Sequence, residues 1–179
     1  MRAFLAIDMP HDIADALARV QAGLPFGRPV AEDNLHLTLA FFADAPEAAL
    51  ADLDDLMGGL RAAALDIRFT GIDSFTEGQH GLIFAAVARS AALQALHDRI
   101  ASLCRQAGLD LPRRRFRPHV TLTRTNRRPD GAARDRLAAS LGARSDMPEF
   151  VARAITLYRS TLGPRGAIHD PLASYPLLG

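Results

Sequence analysis

The chain alternates short apolar runs with longer amphipathic segments. Residues 2–8 (RAFLAID) and 34–42 (NLHLTLAFF) have the length and composition of strands. Between them Pro10 suits the first position of a helix, and Ile13, Leu17 and Val20 set one apolar stripe along residues 11–23. Asp44, Ala45, Pro46 and Glu47 resemble a capping box, and Leu50, Leu53, Leu56, Met57 and Leu60 continue as an amphipathic helix. Residues 66–75 and 81–88 read as two strands joined by a turn around Glu77 and Gly78. Ser90 can cap a helix that turns Leu93, Leu96, Ile100 and Leu103 inward and ends at Gly108. A strand follows at 117–123 and a short helix at 131–141, and residues 150–160 and 171–177 read as closing strands. The order is β-α-β-α-β twice, with one extra strand. It predicts an α+β fold with two lobes related by a pseudo-twofold axis. No linker or low-complexity segment divides the chain, so residues 1–179 are expected to form a single domain.

Composition narrows the chemistry. Hydrophobic residues make up 49% of the 179, enough for a core. No apolar run approaches the ~20 residues of a membrane span. The N-terminal apolar run is five residues, Ala3 to Ile7, short of the roughly 7–15 in a secretory signal. A soluble, cytoplasmic protein with no membrane partner is expected. Cys104 is the only cysteine, which excludes an intrachain disulfide and a Cys-rich zinc site. The chain has no lysine, which excludes a lysine Schiff base, a Walker-A lysine and a lysyl-adenylate ligase. It also has no tryptophan and few other aromatics on which bases could stack.

Charge is divided along the chain. Residues 1–89 carry 6 Arg and 13 acids, and residues 90–179 carry 15 Arg and 7 acids, so the net +1 combines −7 with +8. The window from Arg113 to Arg128 also holds Arg114, Arg115, Arg117, Arg124 and Arg127, with no acid among them. Such a run suits either a solvated basic loop or a surface that meets phosphate or RNA.

Within that window lies His119-Val120-Thr121-Leu122, and near the start of the chain lies His36-Leu37-Thr38-Leu39. Side chains on a strand alternate between faces. His36 and Thr38 therefore share a face opposite Leu37 and Leu39, and His119 and Thr121 share one opposite Val120 and Leu122. A single His-x-Thr on a strand is commonplace. Two copies, each central in a similar β-α-β context, point to one cleft holding two imidazoles and two hydroxyls. Histidine titrates at about 6.5 unperturbed, so near pH 7 one ring can be neutral and the other protonated. That pair can activate a water and protonate a departing alkoxide in an in-line displacement at phosphorus. Threonine hydroxyls and an arginine can hold the non-bridging oxygens, with no metal required. The chain has no HExxH, no His-x-His and no C-x-x-C, so no metal site is expected. His97 and Cys104 read as packed residues of one helix, and His11, His80 and His169 as residues of element ends or loops.

The paired motifs resemble the two signatures of the 2H phosphoesterase superfamily. FLAIDMP, RPVAEDNLHLTLAFF, FRPHVTLTR and ITLYRS together resemble its bacterial RNA 2′,3′-cyclic phosphodiesterases, historically called 2′-5′ RNA ligases, over nearly the whole chain. The resemblance implies a bilobal fold: two pseudo-twofold-related antiparallel sheets with outer helices around a central groove. It implies hydrolysis of an RNA terminal 2′,3′-cyclic phosphate to a 2′-phosphomonoester without metal or cofactor. A monomer that takes such an RNA end or a cyclic nucleotide is expected. It makes His36 the acid toward the leaving 3′ oxygen and His119 the base, with Thr38, Thr121 and Arg124 on the phosphate. One departure is Phe42-Ala43, where the first motif usually continues Leu-Gly. Strict alternation puts Arg124 on the wrong face, so the strand is expected to break or bulge near Thr123. The alternatives are action on another cyclic or 2′-5′ phosphodiester, the reverse ligation, and non-catalytic binding of RNA ends.

Overall fold

The computed structural model describes residues 1–77, 80–112, 115–126, 130–141, 147–164 and 166–178, and only the backbone of Thr76, Glu77 and His80. The elements run β1 (Ala3–Asp8), α1 (His11–Ala22), β2 (Arg28–Pro29), a 3-10 turn (Glu32–Asn34), β3 (His36–Phe42), α2 (Glu47–Gly58), β4 (Leu65–Ile67) and β5 (Phe69–Glu77). They continue with β6 (His80–Val87), α3 (Ala91–Gln106), β7 (His119–Thr125), α4 (Gly131–Ser140), β8 (Phe150–Ala152), β9 (Ala154–Gly163) and β10 (Gly166–Pro176). The expected turn at Glu77 and Gly78 falls partly outside the described residues, as do Arg113, Arg114, Arg127 and Arg128.

The fold is α+β. Seven strands lie in the order β10-β9-β1-β3-β7-β6-β5, with β2 added alongside β7, and every pairing is antiparallel. The two lobes, β10-β9-β1-β3 and β7-β6-β5, meet where β3 and β7 pair at a single position, Leu37 opposite Val120. Both of those side chains are fully buried. The lobes also interlock beneath the sheet: α1, from the first lobe, packs against β7, and α3, from the second, packs against β3. Gln21 of α1 reinforces the join by donating to the carbonyls of Val30 (2.8 Å) and Leu122 (2.6 Å). Ile13 and Leu17 of α1, Leu53 and Met57 of α2 and Leu93 and Ile100 of α3 enter one core with Leu5, Ile7, Leu37 and Leu122 of the sheet. Helices cover that face and leave the opposite one to the groove.

Local chemistry explains most element ends. Ser90 Oγ accepts from the Leu93 N–H at 3.2 Å and caps α3. Gly108 ends the same helix at φ +76°, while the Leu109 N–H returns to the Cys104 carbonyl at 2.8 Å. The expected capping box fails. Pro46 stands at the N-cap of α2 without a side-chain cap bond, because Ala45 is still held in extended pairing with Met1 through bonds of 2.7 Å each way. Asp44 instead accepts from the N-terminal ammonium at 3.2 Å. Two expected strands each divide at an arginine: β4 parts from β5 at Arg68, and β8 from β9 at Arg153. β4 and β8 leave the main sheet to pair with each other.

Candidate active site

The histidine strands carry matching irregularities. On β7, Ile83 pairs with Thr123 and the next residue, Phe84, pairs with Thr121, so Leu122 is the extra residue of a β-bulge. On β3, Leu5 pairs with Ala40 and Ala6 with Thr38, so Leu39 is extra in the same way. Each strand consequently buries two successive residues, Leu39 and Ala40 or Leu122 and Thr123. Beyond the bulge the faces are exchanged. Arg124 now pairs with Leu82, two residues from Phe84, and lies on the face of Thr121 and His119. The expected break near Thr123 is therefore present, as a bulge inside a strand that runs on to Thr125. Phe41 takes the corresponding place in the first lobe, opposite Phe4.

The antiparallel seam sets His36 beside Thr121 and His119 beside Thr38. All four are half-buried. Each imidazole is fixed in the same way: His36 Nδ1 lies 2.7 Å from the Asn34 carbonyl, and His119 Nδ1 lies 2.7 Å from the Arg117 carbonyl. A carbonyl only accepts, so Nδ1 carries the hydrogen in both rings and Nε2 is left for chemistry. Aromatic rings hold the imidazole planes. His36 stacks on Phe4 at 4.6 Å between centroids, and Phe4 stacks on Tyr158 at 5.1 Å. His119 leans on Phe84 at 5.0 Å, and Phe84 stacks on Phe75 at 4.6 Å.

This packing sets the protonation. Burial pushes His36 from 6.5 down to about 4; the Asn34 carbonyl opposes the shift, and His169, Asp8 and Arg124 act more weakly. Burial also lowers His119, the Arg117 carbonyl opposes, and Arg117 and Arg124 lower it further. The expectation of one neutral and one protonated ring near pH 7 is corrected for the ligand-free site: both imidazoles are pushed toward neutrality, because aromatic burial and cationic neighbours act on both.

A cavity of about 750 Å³ brings together His36, Thr38, Thr121 and Arg124. His119 shares their face but does not line this cavity. Its far wall is the tip of the β9–β10 hairpin, which crosses the groove far enough for Asn34 Nδ2 to donate to the Ala167 carbonyl at 2.9 Å. That hairpin delivers His169, which sequence reasoning had assigned to an element end or loop. Its ring stands edge-on to His36 at 5.3 Å and to Phe4 at 4.7 Å. Asp8, opposite His36 on β1, accepts from Thr156 Oγ1 (2.7 Å) and Tyr158 OH (2.9 Å).

The remaining candidates have other roles. Arg117 lies over Phe75 at 4.2 Å and donates to Asp73 at 3.4 Å. His97 stacks on Phe116 at 3.9 Å, and the buried Cys104 thiol is pushed up to about 12 by burial. Among the described residues one group has three potential metal ligands close together, His11, Asp15 and Glu32, and it contains neither motif histidine.

Known proteins share both chain and fold. The family model described as the 2′-5′ RNA ligase superfamily matches residues 9–164. An RNA 2′,3′-cyclic phosphodiesterase of Thermus thermophilus is 30% identical over 192 residues, covering 100% of this chain and 91% of that protein. One from Geobacillus stearothermophilus is 30% identical over 98% of this chain, which spans only 57% of that longer relative. The crystal structure of E. coli LigT complexed with 3′-AMP has a TM-score of 0.78 at 24% identity, covering 98% of this chain and 96% of that one. With two bulged His-x-Thr strands meeting at one seam, and a family match over most of its length, the chain belongs to the 2′-5′ RNA ligase superfamily of 2H phosphoesterases, in which these curated relatives are RNA 2′,3′-cyclic phosphodiesterases.

Proposed function

We propose that the chain hydrolyses the terminal 2′,3′-cyclic phosphate of RNA to a 2′-phosphomonoester, with His36 and His119 as general acid and base. The observation that carries this reading is the common mounting of the two rings. Each keeps Nδ1 on a backbone carbonyl at 2.7 Å and leaves Nε2 free, on strands whose bulges turn Arg124 to the same face as both threonines. In the reaction His119 Nε2 takes a proton from water as the water oxygen attacks phosphorus. The P–O3′ bond breaks, and His36 Nε2 gives its proton to O3′. Thr38 and Thr121 donate to the non-bridging oxygens, and Arg124 neutralises the charge that develops there. The phosphate also supplies what the free site lacks: a bound anion raises the affinity of a buried imidazole for a proton, so substrate charges the acid that burial keeps neutral.

The chain is further read as a cytoplasmic monomer whose substrate is an RNA end and whose chemistry needs neither metal nor cofactor. The described residues include no helix long and apolar enough to cross a membrane. The test is hydrolysis of an oligoribonucleotide ending in 2′,3′-cyclic phosphate, in chelator, by the wild type, His36→Ala and His119→Ala. Both variants should lose turnover while their circular dichroism is unchanged. Near-wild-type turnover by either variant rejects the acid–base pair. Loss in chelator with recovery on zinc rejects the metal-free reading.

A further inference from the structure

Arg2 is a groove-face cation that the proposed reaction leaves unused. It immediately precedes β1, where its carbonyl accepts from the Ser160 N–H at 2.9 Å and prolongs the pairing with β9, so alternation carries its side chain to the face of Phe4. Its guanidinium carbon lies 4.5 Å over the ring of Phe41. Phe41 follows His36 by five residues, as Arg124 follows His119, and each sits one register step past its bulge. The first lobe thus carries a phenyl ring where the second carries a guanidinium, and Arg2 lays a guanidinium on that ring. The groove face thus carries Arg124 at the cavity and Arg2 just outside its lining.

Among the described residues neither Arg2 nor Arg124 is paired with a carboxylate, whereas Arg68, Arg117, Arg134 and Arg159 each reach one within 4.0 Å. Arg2 Nε is buried with no hydrogen-bond partner among the described residues, a donor left open. The two cations are also close enough to act on each other and on His169: Arg2 lowers both Arg124 and His169, after the larger effect of burial on each. Uncompensated cations this close, one with an orphaned buried donor, call for a ligand with more than one negative group.

We propose that Arg2 binds a second phosphate, that of the phosphodiester joining the terminal nucleotide to the rest of the RNA, while Arg124 binds the terminal phosphate. This rests on the reading of the His36–His119 groove as a phosphate site. It makes Arg2 a specificity residue that favours polynucleotide ends over isolated nucleotides. Phe41 supports the guanidinium by its ring face.

Calorimetric binding of adenosine 2′-monophosphate and adenosine 2′,5′-bisphosphate tests it, since the second ligand adds only the 5′ phosphate. The wild type should bind the bisphosphate about tenfold more tightly at low salt, the scale of one charge-assisted bidentate contact. In Arg2→Gln that preference should fall to about twofold or less, and Arg2→Lys should keep part of it through charge alone. Equal affinities in the wild type, or a full preference kept by folded Arg2→Gln, would overturn the proposal. The wild-type comparison decides even if Arg2→Gln does not fold. Turnover of a cyclic-phosphate oligonucleotide is measured separately on the same proteins. An intact bisphosphate preference without turnover would remove the hydrolase reading and leave the second phosphate contact standing.

Discussion

Burial of His36 makes the protein's stability depend on pH in a calculable way. The imidazole is held near 4 in the folded chain against 6.5 for a free side chain. Its folded value is depressed, so the neutral ring contributes fully above about pH 6.5 and the contribution is lost as pH falls toward about 4. The two values differ by about 2.5, worth about 3.5 kcal/mol at about 1.4 kcal/mol per pH decade. Most of that, about 2.5 kcal/mol, is gone by pH 4.5; discounting for the ring's partial exposure leaves about 2 kcal/mol. The perturbation is His36→Asn, which removes the titration, while His119 and His169 titrate in both proteins. Urea denaturation at pH 7.5 and 4.5, followed by far-UV circular dichroism because the chain lacks tryptophan, gives each protein's loss on acidification. The wild type should lose about 2 kcal/mol more than the variant. Equal losses within about 0.5 kcal/mol, or an imidazole resonance of His36 titrating near 6.5, would refute the burial argument.

Three further outcomes follow from the same geometry. Asp8→Asn removes the carboxylate that raises His36, so the His36 titration followed by NMR should move further down; no movement would show that Asp8 does not act on the ring. Arg124→Ala should lower turnover of a cyclic-phosphate RNA end by about 10²–10³-fold, mainly in kcat, as loss of a transition-state contact does. Gly27 sits at φ +101°, where a Cβ would stand 3.0 Å from Thr123 Oγ1 beside the bulge, so Gly27→Ala should cost about 2 kcal/mol and lower the melting temperature by several degrees.

What the sequence disclosed and what it withheld divide along physical lines. The His/Thr faces were legible because alternation is a local property, and Leu37 and Val120 do fill the core behind them. The β7 bulge could be inferred because alternation and the family resemblance disagreed about Arg124. The matching bulge at Leu39 raised no such conflict, since either face suits a phenylalanine at position 41. Asp44 looked like a cap because a local pattern cannot register that Ala45 is tied to Met1. β4 and β8 were invisible as a separate sheet for the same reason: a strand's pattern does not name its partner. His169 was missed because β10 is an edge strand that accommodates Pro171 and Pro176, and its weak pattern suggested a start near 171 rather than Gly166. The depressed imidazoles depend on Phe4 and Phe84, which long-range pairing brings to the rings.

The central claim is that the two histidines open a cyclic phosphate at its 3′ oxygen. It is tested most directly by phosphorus NMR of an oligoribonucleotide ending in 2′,3′-cyclic phosphate after incubation with the protein. The account predicts a single 2′-phosphomonoester product. A 3′-phosphomonoester would exchange the leaving oxygen, and an unchanged cyclic phosphate would contradict the assignment outright.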